Sequence, residues 1–289
     1  MFKSTNFTNA EQISLAKEIA LIGVQATPLT SMLMAKGNIE KALSTVYTWR
    51  EKTLDSTQDL SAVEGADTTE FFESARAELN NILEIFKKGA SVSGTAIAMK
   101  SSQLAEEVND RLLELKINME KKFINGIKKD GSITPFKRQL SGLIEMADPS
   151  NAVAVTGAIT EDKIKEVMRN LWNQDLAEGT YYALVNADIK EDVDGIYKDR
   201  YNYNHVTTNF GLLVDSVSTN YGTVHFVLSK HVPADKMVVF NDSYLDLVYL
   251  REPHFEALSK TGDSVKGHVI AEATLKAGSK KAVAVVTVS

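Results

Sequence analysis

The residues able to do chemistry are scattered along the chain. His205, His225, His231, His254 and His268 lie singly in or beside strand-like stretches, with no pair at i, i+4 and no carboxylate-bearing motif of the HExxH kind. A metal site would need the fold to gather them across strands, and satisfied or exposed histidines are the plainer reading. No GxSxG occurs. The glycine-bearing runs GASVSGTA at Gly89 and SKTGDSVKG at Ser259 lack the GxxxxGK[ST] spacing that sets backbone N–H groups and a lysine on a phosphate, so they read as turns. Thr261-Gly262-Asp263 inverts the Asp-Thr-Gly order of aspartic proteases and has no second copy; a tight turn capped by Asp263 suffices. Asn6-Phe7-Thr8 and Asn241-Asp242-Ser243 match the glycosylation pattern by chance, and Glu106/Glu107 and Asp192/Asp194 read as solvated helix faces. Trp49-Arg50-Glu51 is different. It is either a solvated strand or a contact between subunits, and the second is favoured because Trp and Arg concentrate at interface centres. No catalytic constellation forms, and neither cofactor nor metal is expected.

Composition narrows the function classes further. With 289 residues, 44% hydrophobic and 24% charged, the chain can bury a substantial core in one large domain or two. A net charge of −6, with no basic cluster beyond a pair plus a neighbour, disfavours duplex nucleic acid or anionic membrane as the main partner. The absence of cysteine excludes disulfides, thiolate metal sites and cysteine nucleophiles, and fits synthesis in a reducing cytoplasm. The N-terminus MFKSTNFTNAEQ is polar where a secretory signal needs an apolar core, so the chain is not expected to be exported by itself.

The elements that would position these residues organise around Ser101 to Asn125. Leu104, Val108, Leu112, Leu115, Met119 and Phe123 recur along one helical face, Ser101 or Ser102 can cap it, and Lys121 and Lys122 suit its negative end. At ~1.5 Å per residue this helix is roughly 37 Å long, enough to act as a spine. Before it come a polar arm over residues 1–10, an apolar helix-prone piece broken at Pro28, and a short loop or helix ending at Gly37. From Ser44 to Leu54 polar and β-forming residues alternate, with Tyr47, Trp49 and Thr53 on one side and Val46, Arg50 and Lys52 on the other. After an acidic loop over residues 55–69, RAELNNILEIFKKGASVSGT gives a second extended stretch whose Lys87 and Lys88 could face Glu51 or Asp55. Such a two-stranded ribbon is only marginally stable alone in water, so a partner surface must complete its burial.

Beyond the spine, Gly126, Gly131 and Pro135 end the helix. Thr160 then reads as an N-cap before an apolar face of Ile164, Val167, Met168, Leu171 and Trp172, with Gly179 as the stop. TYYALVNA reads as a buried strand, DIKEDVDGIYKD as a short helix, and the chain after Arg200 as β. HVIAEATLKAGSKKAVAVVTV reads as a closing hairpin turning at Ala277 to Lys280.

This succession resembles the major capsid proteins of tailed bacteriophages, with the fold named after phage Hong Kong 97. Three segments carry the resemblance. The first is Thr48-Trp49-Arg50-Glu51 with Ala62-Val63-Glu64-Gly65-Ala66-Asp67, and the second is Val92-Ser93-Gly94-Thr95-Ala96. The third is Tyr249-Leu250-Arg251 with Leu258-Ser259-Lys260-Thr261-Gly262-Asp263-Ser264, then Glu272-Ala273-Thr274-Leu275 and Lys281-Ala282. The resemblance implies an α+β chain divided into an arm and short helix (1–43), an extended β-loop ribbon (44–95), the spine and start of a peripheral domain (96–148), an axial α/β domain (149–250) and closing peripheral strands (251–289). It implies a non-enzymatic subunit that forms hexamers and pentamers of an icosahedral head around double-stranded DNA, in virions assembled in the host bacterial cytoplasm. Its partners would be itself, a portal, separate scaffolding or decoration proteins, and DNA by weak nonspecific contact, with no membrane. Candidate intersubunit contacts are Trp49, Arg50, Glu51, Glu64, Lys87, Lys88, Arg251 and Asp263; covalent lysine–asparagine links between subunits are not expected. Two rival readings are an encapsulin-type compartment shell, which shares the fold, and a cytosolic enzyme with its active site within residues 150–250.

Overall fold

The computed structural model describes residues 27–53, 59, 61, 64–65, 67, 71, 73–99, 104–174, 176, 180–198, 216–260 and 262–289. The expected arm and helix before Pro28, Asp55, the Ser101 or Ser102 cap, Gly179 and the start of the LLVDSVST strand lie outside them, as do His205 and Thr261. Helix α1 (Pro28–Lys36) starts with proline at its first turn, where the missing N–H costs nothing, and stops at Gly37 in the left-handed conformation, φ 77°. Its orphan N–H groups are not capped locally. Glu120 of the spine accepts from Leu29 N–H at 2.8 Å and Thr30 N–H at 2.9 Å, and from the Thr30 hydroxyl, placing a buried carboxylate at the positive end of the helix. At the other end Lys36 pairs with Asp242 and lies 4.5 Å above the Tyr182 ring.

Strands β1 (Ile39–Lys41), β2 (Val46–Thr53), β3 (Ala75–Ile82) and β4 (Glu84–Ser93) follow, then α2 (Gly94–Ala98) and the spine α3 (Leu104–Asn125). The 22 residues of α3 span ~33 Å. Leu115, Met119 and Phe123 are buried, Val108 and Leu112 pack at the edge of the same core, and Leu104 meets Val92 and Ala96, so the apolar face read from the sequence is the face that packs. Phe123 meets Phe86 of β4 edge-on at 6.4 Å between ring centroids.

Past the spine come α4 (Leu143–Met146), β5 (Val153–Val155), α5 (Glu161–Trp172), β6 (Tyr181–Val185), α6 (Ala187–Lys198), β7 (Ser216–Thr219), β8 (Gly222–Leu228), β9 (Lys236–Asn241), β10 (Leu245–Leu258), β11 (Ser264–Ala277) and β12 (Val283–Val288). The strands make a four-stranded sheet in the order β1-β10-β11-β4, a six-stranded sheet in the order β5-β12-β9-β6-β8-β7, and the separate pair β2-β3. One core joins the spine, α1 and the four-stranded sheet to residues of β6, β9 and β12; the other packs α5 and α6 on the six-stranded sheet.

The structure corrects three expectations. The closing hairpin does not exist: β11 pairs with β10 and β4, while β12 runs between β5 and β9. A short 3-10 turn at Lys280–Ala282, capped by Ser279, redirects the chain, and the apolar VAVV stretch of β12 suits an interior strand. Residues 251–289 therefore divide between two sheets. Likewise the ribbon ends at Ile82, because β4 turns into the four-stranded sheet at buried Leu83. Lys87 and Lys88 thus face neither Glu51 nor the ribbon; Lys88 pairs with Glu114 of the spine at 2.6 Å. Trp172 leaves the apolar face of α5 and is 58% exposed, its ring 5.7 Å from Tyr221, because the step from Leu171 rotates it toward solvent at the helix end. Strand β10 runs on past Arg251 and through Pro253 to Leu258. Register shifts between Tyr249 and Arg251 and between Arg251 and His254 form bulges that accommodate a residue with no N–H to donate.

Candidate assembly interface

Strands β2 and β3 pair antiparallel from Val46 opposite Ile82 to Thr53 opposite Ala75. The alternation of β2 sorts its side chains into two faces. Tyr47, Trp49 and Glu51 are partly buried, with the Tyr47 and Trp49 rings 6.2 Å apart and Glu51 accepting from the Ser279 hydroxyl. On the other face Val46, Thr48, Arg50 and Lys52 are exposed, and so are Ala75 to Glu78 of β3. One face of β2 thus lies on the body as far as Glu51, while its opposite face and Ala75 to Glu78 of β3 are exposed.

Two polar networks, one buried and one partly buried, hold the root. Asn81 is fully buried; its amide donates to Leu275 O at 2.7 Å and Ser141 O at 3.0 Å, and its carbonyl accepts from the N–H groups of Ile82 and Ser141, each at 2.8 Å. Around Glu40, burial alone would raise its carboxyl and lower the Lys276 ammonium. Their mutual bond at 2.7 Å, the Tyr47 hydroxyl donating to Glu40, and Asp246 at 3.0 Å from Lys276 outweigh burial and hold Glu40 low and Lys276 high. The same bond to Glu40 pushes the Tyr47 hydroxyl up. The ribbon therefore leaves the body from a fixed base.

The structure separates the eight candidate contacts. Arg50 and Glu64 are exposed on the ribbon and its connection, whereas Trp49 and Glu51 face their own body. Lys87 and Lys88 are exposed on β4. Arg251 and Asp263 have partners within the chain. Glu272, buried in β11, receives Arg251 Nε at 3.2 Å and an Arg138 guanidinium nitrogen at 2.8 Å. Gly94 donates its N–H to Asp263 O at 3.2 Å, and a Cβ on Gly94 would lie 2.2 Å from the Asp263 carboxylate, so a larger residue there would have to displace that side chain. Two of the segments that carry the sequence resemblance meet here.

The other chemistry stays dispersed. The His225 ring lies tilted against Tyr182 with centroids 5.5 Å apart, and Glu256 accepts from His254 at 2.9 Å and His268 at 3.1 Å. Among the described residues no three His, Cys, Asp or Glu side chains are grouped to hold a metal. GASVSGTA is strand and helix start, and Gly262, at φ 94°, is a turn.

Sequence reasoning passed over Glu120 and Asn81, which sit among polar residues in linear order and reveal their burial only in three dimensions. It also passed over the 126–139 loop, where Ile127, Ile133 and Phe136 are exposed beside Lys128, Lys129 and Lys137. That signal was readable, since large apolar residues in a Gly- and Pro-bearing loop are unusual.

Comparison with known structures places this architecture. The capsid asymmetric unit of cyanophage A-1(L) superposes with a TM-score of 0.69 at 11% identity, over 97% of this chain and 99% of that one. The capsid of cyanophage P-SCSP1u gives 0.64 at 12%, over 100% and 97%. The holo-SrpI encapsulin complex of Synechococcus elongatus PCC 7942 gives 0.65 at 14%, over 96% and 93%. At such identities the likeness establishes the fold, which is the Hong Kong 97-like capsid fold. No curated protein sequence matches the chain. The family model of the SU10 major capsid protein matches residues 3–289, and the chain belongs to that family of major capsid proteins.

Proposed function

We propose that the chain forms hexamers and pentamers that close into an icosahedral phage head around double-stranded DNA. The observation that carries this is the ribbon: eight-residue strands fixed at the root, with one face of β2 on the body and the other face, together with most of β3, exposed. A neighbouring subunit would supply the missing surface, and each small contact, repeated around a shell, adds to a closed lattice. The four-stranded sheet with the spine would be the peripheral domain, and the six-stranded sheet the axial domain. The subunit acts by assembly rather than catalysis. DNA would meet the inner face weakly, as the net charge of −6 dictates, and a portal, separate scaffolding and decoration proteins complete the particle made in the host cytoplasm.

Electron microscopy of the protein expressed alone or with its neighbouring genes tests this. Closed particles hundreds of ångströms across are expected, and a small discrete oligomer under all such conditions would contradict it. The encapsulin likeness supports a second reading, a compartment around a protein cargo; nucleic acid inside purified particles separates the two.

A further inference from the structure

We propose that the groove between α5 and the β7–β8 turn binds a neutral saccharide chain, a function separate from assembly. The groove, of about 780 Å³, has one wall from the polar face of α5, running from Asp162 past Glu166 and Asn170 to Asn173, and the other from the turn between Ser218 and Tyr221. From Asp162 to Asn173 the helix rises roughly 16 Å, a length that suits a short run of linked sugar rings. Both walls are fixed. Ile164, Val167, Met168 and Leu171 bury the opposite face of α5 on the six-stranded sheet. The Thr219 hydroxyl ties the turn, donating to Gly222 O at 2.8 Å and accepting the Tyr221 N–H at 3.2 Å. A cleft formed in advance spares a ligand the cost of ordering it.

The lining selects among ligands. Its charges cancel, Asp162 and Glu166 against Lys165 and Arg169, and Glu166 and Lys165 are already paired with Lys163 and Glu161, each at 2.7 Å. The groove therefore has neither the surplus of cations that a polyanion needs nor the apolar stripe that an amphipathic helix needs. What it offers is amides. Asn170, Asn173 and Asn220 make no side-chain hydrogen bond among the described residues, and each amide both donates and accepts. At one end Trp172, 58% exposed, meets Tyr221 with ring centroids 5.7 Å apart and planes at 48°, an aromatic corner whose Trp172 side is open to solvent. A pyranose ring matches both features, since it carries an apolar C–H face for an aromatic ring and a rim of uncharged hydroxyls that donate and accept.

The chain has two tryptophans, so Trp49→Phe leaves Trp172 as the only indole reporter. Titrating that full-length variant with cellohexaose, mannohexaose and chitohexaose should give a saturable change in its fluorescence with at least one of them, and the choice among them separates an unsubstituted glycan from an N-acetylated one. Calorimetry on the wild-type chain with the same sugar should give the same affinity. Trp172→Ala should weaken binding at least tenfold, and so should Asn173→Ala with Asn220→Ala, while the melting of both variants stays unchanged because all three side chains are exposed. Saturation with none of the three sugars overturns the inference. Equal binding of an anionic hyaluronan hexamer, abolished by Arg169→Gln, also overturns it by making the groove an anion site. Loss of particles in Trp172→Ala with no sugar bound by the wild type would assign the groove to a second copy of the chain and leave the shell reading standing.

Discussion

The β2–β3 ribbon and the β10–β11 pair are built from the same local material and differ in what surrounds them. Both are antiparallel ladders of β-forming residues. β11 is buried along nearly its whole length between β10 and β4, with the spine across it, whereas the ribbon has only one face of β2 partly buried and leaves the other face and most of β3 exposed. Backbone pairing is therefore common to both, and burial decides which region holds the subunit together and which is left for another molecule. In the body, polar groups are satisfied internally, as Glu272 is by Arg251 and Arg138; on the ribbon, Arg50 and its neighbours remain open to a partner.

The comparison can be broken at the body first. Phe123→Ala, at a fully buried ring against Phe86, should cost about 3–5 kcal/mol in denaturant unfolding of the free subunit. Glu120→Ala should cost about 2–3 kcal/mol, since it strips the cap from α1 and leaves buried N–H groups without a partner. Hydrogen exchange of Leu29 and Thr30 would report that loosening locally. Arg50→Ala, on the exposed face of the ribbon, should change the stability of the free subunit by less than about 0.5 kcal/mol yet sharply reduce particle yield; marked destabilisation of the free subunit would instead assign Arg50 to the subunit's own packing.

The smallest shift concerns pH. Burial raises the Glu84 carboxyl, more than Lys122, 3.8 Å away, and the Leu140 N–H lower it. The stability Glu84 contributes is fully present below the ordinary glutamate value of 4.5 and is lost as pH rises through its elevated folded value. Glu84→Gln should therefore gain on the wild type as pH rises toward neutrality, read as a change in the slope of Tm against pH.

How much of this was legible follows from which interactions are local. The spine could be read because its apolar face repeats along the sequence, and the end of α1 because Gly37 marks it, although the stretch before Gly37 read equally as loop or helix. The ribbon could be read from alternation without a hydrophobic face. Its length could not, because the exit of β4 into another sheet is decided by pairing with β11, some 180 residues further on. The separation of β11 from β12 had the same cause, since their spacing mimics a hairpin and only the competing strands β4, β5 and β9 reveal otherwise. Of the candidate contacts, Arg50 and Glu64 stand exposed on the ribbon side, while Arg251 and Asp263 also bond within the chain; a motif shared through a family marks either use equally well.

The central claim is that the ribbon finds its burial between copies. Amide hydrogen exchange over residues 46–53 and 75–80, measured in free subunits and in assembled particles, tests it most directly. Fast exchange in the subunit relative to β10–β11, slowed at least tenfold in particles, is the result expected. Ribbon amides already as protected as β11 in the free subunit, with no change on assembly, would contradict it.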